Sequence, residues 1–422
     1  MLARRCLLHL VLVCLCLSGV SVASPGPGDV FREYTWYDET GDAGQALRVG
    51  GKQGQYHPDR GSAHGYVNTP VELPHEFDLQ FAIRAEVVIE KILCHDGTRG
   101  LALRVNDHAW IDVPECASIP EPPWAYQHHT YPVVPIPLDQ LRRGMGNTFQ
   151  MRVAPEHPWN WPQNLINGVH FRVYYDPTRK AHATARVLAV QAEAPASEVV
   201  TLSLDAHSLK GKVRQVDYVG HYEDVNFEGD GEYTQWHHHF FHGTLTNHIG
   251  SAAQAPWAVD WDTAWVPDQE QPIRVAARLI DESDLVFMTP AAEFALSRPG
   301  VSVEMCKPYD IPKKWVTRSG EHTERFDVKG DPQQAVALQL AWSSWSPGYM
   351  SGLFINDAKV FDCEGPKYKY FAHRVIIDDV SMLRRGTNIL KTGKTPLHDG
   401  KMVHGMEVNW PGIMVLIRYE DR

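Results

Sequence analysis

Leu141-Arg142-Arg143-Gly144 and Leu383-Arg384-Arg385-Gly386 decide how this chain is read, because the residues around them recur in the same order. The first stretch follows Val105-Asn106-Asp107 and precedes Asn147, Asn160-Trp161-Pro162 and His170-Phe171-Arg172-Val173-Tyr174-Tyr175-Asp176. The second follows Ile355-Asn356-Asp357 and precedes Asn388, Asn409-Trp410-Pro411 and the closing run Ile413 to Asp421. Shared order with gaps of unequal length marks two divergent copies of one structural unit. Asn-Asp after an apolar strand forms a turn and tolerates left-handed backbone angles. Asp139 and Ser381 stand two residues before each Leu, placed to cap one helical turn that the Gly ends.

Around these anchors the hydrophobic period is two, the period of a strand. Leu101, Leu103 and Val105 alternate with Ala102 and Arg104, and Phe149, Met151 and Val153 with Gln150 and Arg152. The pattern returns at Ile273, Val275, Ala277 and Leu279, and at Val336, Leu338, Leu340 and Trp342. No stretch sustains a helical period. The chain reads as all-β, and 422 residues need more than one ordinary core.

The succession of strand, Asn turn, extended segment, short helical turn ending in Gly-x-Asn and return strand resembles the galactose-binding-like jelly rolls of many glycoside hydrolases. The likeness covers roughly residues 27–178 and 298–422. It implies a sandwich fold, and such modules bind sugars, act as spacers or carry active sites. Between the copies, Val199 to Leu204, Val213 to Val219 and Pro272 to Asp281 read as strands of an immunoglobulin-like or fibronectin-like sandwich. The expected organisation is a signal peptide over 1–23, a jelly roll over 24–178, a sandwich with a long insertion over 179–297, and a second jelly roll over 298–422.

The N-terminal expectation rests on Arg4 and Arg5, an apolar run from Leu7 to Leu17, and small residues Ser21 and Ala23 before a plausible cut. The run is too short for a comfortable membrane span, so membrane insertion after its removal is not expected. The protein is read as secreted, periplasmic or displayed at the cell surface. Cys94, Cys116, Cys306 and Cys363 lie beyond this leader, and an even count in an exported chain suggests two local disulfides, Cys94 with Cys116 and Cys306 with Cys363. Free thiols are the alternative. The formal charge of −11 and the lack of a basic cluster argue against nucleic acid and anionic lipid as partners.

Three stretches carry candidate chemistry. In Asp224-Val225-Asn226-Phe227-Glu228-Gly229-Asp230-Gly231-Glu232, the oxygens of Asp224, Asn226, Glu228 and Asp230 alternate around glycines as in a calcium loop. Gln235, standing where an EF-hand places a closing Glu, departs from that pattern; a solvated hairpin tip is the plainer reading. His237, His239 and His242 in the run Trp236 to Gly243 offer zinc or copper ligands, or else imidazoles bonded to backbone. Trp159, Gln163 and Asn164, with Trp342, Trp345 and Tyr349, form aromatic-amide mixtures suited to stacking on a sugar ring and bonding its hydroxyls.

Glycoside hydrolysis needs two carboxylates roughly 5–10 Å apart. Glu232, Asp262 and Asp268 are nominated only by their place in the long stretch Asp224 to Asp268. The expected function is binding or processing of extracellular polysaccharide or other glycan. A glycoside hydrolase or polysaccharide lyase centred on the insertion, and a His-ligated metal-dependent protein, are the competing classes.

Overall fold

The computed structural model describes residues 25–37, 47–50, 70–94, 99–154, 162–193, 198–362, 365–367, 369–397, 400–401 and 404–420. The leader, Trp159, Trp161 and Cys363 lie outside them, and the side chains of Cys94 and Gln163 are not described. Among the described residues, helix is confined to two three-residue 3-10 turns, Pro123–Ala125 and Leu138–Gln140. The rest is strand and turn, arranged as tandem β-sandwiches. No helix among the described residues is long and apolar enough to cross a membrane.

The two copies build the same corner from the same residues. Asn106 and Asn356 adopt φ of 48°, followed by Asp107 at 62° and Asp357 at 71°. The Asn106 side chain donates to Asn147 Oδ1 at 2.7 Å and accepts from the Thr148 backbone at 2.8 Å. In the second copy Asn356 donates to Asn388 Oδ1 at 2.7 Å and accepts from the Ile389 backbone at 3.1 Å. Asn147 accepts from Arg142 N–H and donates back to Arg142 C=O; Asn388 does the same with Arg384. Both Asn147 and Asn388 are fully buried. The Leu-Arg-Arg-Gly motif is thus a loop stitched to the sheet by one buried amide.

The capping expectation needs correction. Asp139 lies inside the 3-10 turn, whose N-cap makes no side-chain bond. At the second copy Asp379 accepts from the Ser381 backbone at 3.0 Å, so the acidic residue two positions earlier plays the capping part.

The first jelly roll and the central sandwich share a sheet. Val30–Tyr37 pairs along Pro162–Tyr175, which pairs with Ala82–Cys94. On its other side Val30 and Phe31 pair with Phe287 and Val286, which continues the sheet into Ile273–Asp281 and Val213–Glu223. One apolar cluster accordingly runs from Val30 to Phe287. A separate core, including Trp315, Phe326, Trp342 and Ile417, fills the second jelly roll. Three modules are served by two main cores.

Cys116 and Cys306 are free thiols, which corrects the two expected disulfides. Cys116 Sγ instead lies 3.2 Å from Ser118 Oγ and 3.3 Å from the Asp230 carbonyl. Cys306 is packed into the second core.

The buried corner amides generate a prediction. Asn147→Ala strands the donors and acceptors that bond it, and Asn388→Ala does the same in the other copy. Each is expected to cost roughly 1–3 kcal/mol in urea unfolding.

Candidate functional site

The outer face of the large sheet carries a group of charged side chains beside a small apolar cluster of Phe31, Val219, Ala276 and Met288. Glu33, His170, Arg172, Tyr174, Glu86, Glu90, Asp217 and Arg278 fall on the strand positions opposite the core-facing set. Glu33 joins Arg172 at 2.8 Å and Arg278 at 2.6 Å, while Arg172 reaches Glu86 at 3.3 Å and Arg278 reaches Asp217 at 3.5 Å. Burial pushes the Glu33 carboxyl up, but the two guanidinium groups outweigh it and hold it at about 2.

The His-rich run closes over this face. Phe240 stacks on His170 with centroids 4.1 Å apart, and the backbone N–H groups of His242 and Gly243 donate to Glu90. The run is a hairpin, His239–Phe241 paired with Thr244–Thr246. His237 ends the preceding strand, Thr234–His237, and both it and His239 are buried. His237 Nδ1 donates to Glu228 at 3.3 Å and its Nε2 to the Tyr222 carbonyl at 3.0 Å. Burial lowers His237, yet Glu228 overrides it and raises the imidazole to about 9. Glu228, despite burial, is held well below the ordinary carboxylate range by His237 and His239. Asn247 adds a bond at 2.9 Å.

The acidic turn that bears Glu228 is wedged against the first jelly roll. Gly229 has φ of 69°, and a Cβ there would sit 1.7 Å from the His129 carbonyl oxygen. Only glycine satisfies both the angle and the approach. Beside this contact opens a cleft of about 420 Å³ between the turn, residues 114–118 and the strand end near Tyr131. Its wall includes Tyr131, Arg172, Glu228, Asp230, Trp236 and His239.

Two polar atoms of this wall, Tyr131 Oη and His238 Nδ1, have no hydrogen-bond partner among the described residues, while His239 Nδ1 lies 3.7 Å from Glu228 Oε1. Tyr131 stacks on His239 at 4.7 Å and 25°. Behind them His129 Nδ1 bonds Tyr370 Oη from the second jelly roll, so all three modules meet here. Burial keeps His238 down at about 3 and His129 well below its usual value. The Asp230 carboxyl is raised, chiefly by burial.

The other residues singled out by sequence are placed as follows. Asn226 and Asp230 bond each other at 2.6 Å, and Asn226 also receives Gly231 N–H. Asp224 faces Arg374 at 3.4 Å. The four oxygens of the calcium-like pattern thus serve different partners, and no metal-holding group of three His, Cys, Asp or Glu occurs among the described residues. His242 stands apart from His237 and His239, taking a bond from Asn167 at 2.8 Å.

Trp342, Trp345, Tyr349 and Asn164 are all buried, which corrects their reading as glycan contacts. Strand Ala335–Trp345 is central in its sheet and covered on both faces, and Trp342 lies flat on His373 at 4.1 Å. Glu232 is exposed at the cleft, Asp262 lines a different cavity, and Asp268 is tied to Arg298. Tyr131, Trp236, His238 and Tyr370 were missed; the run His128-His129-Thr130-Tyr131 was the available signal.

No protein-family model matches the chain, and no curated protein matches it. Among solved structures, it is similar to a β-porphyranase of glycoside hydrolase family 86 from Bacteroides plebeius, at 10% identity, covering 58% of this chain and 38% of that one, TM-score 0.22. A BuGH86 complex with neoagarooctaose matches at 10% identity over 56% of this chain and 33% of the other, TM-score 0.22. A DUF4785 family protein from Legionella pneumophila matches at 11% identity over 94% and 86%, TM-score 0.22. The chain spans about a third of the length of the two glycoside hydrolase structures. At this level of similarity, function must be argued from the cleft itself.

The Glu228–His237 pair generates a pH prediction. His237, raised from 6.5 to about 9, contributes fully below pH 6.5 and loses that contribution as pH rises through 9. Glu228, lowered from 4.5, contributes above that pH and loses its part as acid protonates it. Unfolding free energy in urea is expected to fall by roughly 1–3 kcal/mol between pH 6.5 and 9, a slope that His237→Gln flattens.

Proposed function

We propose that this protein binds a neutral extracellular glycan in the cleft between the acidic turn and the first jelly roll. The observation that carries the reading is the pair of partnerless polar atoms on its wall, Tyr131 Oη and His238 Nδ1. Buried polar groups are nearly always bonded, so such a set calls for a polar ligand or ordered water. Sugar hydroxyls donate and accept, which suits the Tyr131 phenol and the His238 imidazole, held neutral by burial, equally. Trp236, half-buried on the same wall, offers an apolar face for a ring, and Gln235 adds an amide. Acidic glycans fit poorly. Glu228, Asp230, Glu232 and Glu115 all line the cleft, whereas the charge of Arg172 is already met by Glu33 and Glu86. The leader-like N-terminus supports an extracellular setting.

A second reading, glycoside hydrolysis, is favoured by one observation. Glu228 and Asp230 share a cleft while their carboxyls are pushed in opposite directions, one held ionised and the other toward the acid form. Binding alone requires no such contrast.

Calorimetry against neutral cello-, xylo-, manno- and galacto-oligosaccharides tests the first reading. At least one is expected to bind, with Tyr131→Phe and Trp236→Ala each weakening it about tenfold or more, near 1.4 kcal/mol. Binding by none of them, or binding insensitive to both substitutions, rejects this cleft. Reducing-sugar release abolished by Glu228→Gln and by Asp230→Asn marks the hydrolase; binding without release marks the binder.

A further inference from the structure

On the far side of the same acidic turn lies a second cavity, of about 300 Å³, formed between the turn, the segment 261–266 and the outer face of the second jelly roll. From its composition we infer that it is a separate subsite for a single neutral sugar ring. The inference takes its ligand class from the glycan reading above, but its residues are its own.

Trp261 and Trp265 supply the aromatic surface, and Asn247 and Gln339 supply amides. Arg374 enters from the second jelly roll, donating to Gln339 Oε1 at 3.0 Å and to Asp224 Oδ2 at 3.4 Å. Asp224 is only 6% exposed; the Tyr222 phenol on the same wall shares its carboxylate, and Oδ1 makes no closer hydrogen bond among the described residues. A nearly buried carboxylate oxygen without a close hydrogen bond is costly. A sugar hydroxyl donating to it removes that cost, while the Arg374 and amide N–H groups meet the sugar's oxygens. Pyranose rings present an apolar C–H face and a polar rim, and the half-buried Trp265 beside these donors and acceptors matches that division.

Charge and size narrow the class. Asp224 balances Arg374, and Asp262 on the wall adds a further negative group, so no unpaired cation awaits a uronate or sulfate. The volume has room for about ten waters at ~30 Å³ each, enough for one ring and too little for a folded oligosaccharide. The first cleft uses the opposite side of the turn, through Glu228 and Asp230, and shares none of these residues.

Calorimetry decides it. With the tightest binder from the neutral oligosaccharide panel, the full chain is expected to take up ligand at two sites per molecule. Trp265→Ala should leave one site with the Trp236-dependent affinity unchanged, and Trp236→Ala should leave the other. Because Trp265 also packs on its neighbours, Arg374→Met serves as a second variant, expected to weaken the same site about tenfold, with thermal melts confirming that both variants fold. A single site per wild-type molecule, sensitive to Trp236→Ala and untouched by Trp265→Ala and Arg374→Met, overturns this inference while leaving the first cleft intact. Failure of the whole panel to bind overturns both.

Discussion

Glu33 sits between Arg172 and Arg278 on a sheet face that would otherwise be the outside of the molecule. Buried charges lose several kcal/mol of hydration each, and their attraction recovers it only when the geometry is nearly complete. Here it is completed by neighbours on every side: Glu86 and Tyr174 on one strand pair, Asp217 on another, and the ring of Phe240 from above. Deleting one partner would leave the others buried and unpaired. The network therefore demands a cover, and the His-rich hairpin is that cover. Everything at the candidate site inherits its position from this demand.

The cover fixes what the histidines can do. The cover turns some side chains inward: His237, ending the strand that leads into the hairpin, and His239, within it, arrive beside Glu228 rather than at solvent. His237 has acceptors at both ring nitrogens, which favours the doubly protonated form and makes it a permanent counter-charge in the neutral range. With Glu228 neutralised on that side, its position is locked, and the cleft wall is preorganised. Asp230, two residues on, lacks such a cation; burial and the charge of Glu228 push its carboxyl the other way. One short turn thus presents two carboxyls in different states.

Much of the fold was legible because repeated function of single residues leaves repeated letters. Asn106, Asn147 and the Leu-Arg-Arg-Gly loop recur because each amide makes bonds no other side chain can make in that space, and Asn356 and Asn388 repeat them. The merging of two modules into one sheet was not legible. It depends on Val30 and Phe31 meeting Phe287 and Val286, a two-residue pairing across most of the chain, and alternation says nothing about which strand is the neighbour. The candidate site was half legible. Spacing found Glu228, His237 and His239, but Tyr131 and Tyr370 come from the flanking jelly rolls, where nothing local distinguishes them from core aromatics. The same ambiguity misplaced Trp342: an aromatic beside serines on a central strand reads as a contact, yet it packs into the second core and lies flat on His373.

The acidic turn explains why the unrepeated part of the chain, not the repeat, holds both cavities. A duplicated sandwich offers the same two faces twice, and in each copy the inner face is spent on a core. Both of these clefts form where the additional segment meets a copy. Gly229 lets the turn press on the first jelly roll, while Val225 and Phe227, four and two residues from it, pack with Val303, Ala341, Met414 and Leu416 of the second. A strut gripped at both ends makes a crevice on each side. Its side chains are then divided by direction alone, with Glu228 and Asp230 facing one crevice and Asp224 the other. Since the strut is held by both jelly rolls, the carboxyls of both crevices take their positions from the same short turn.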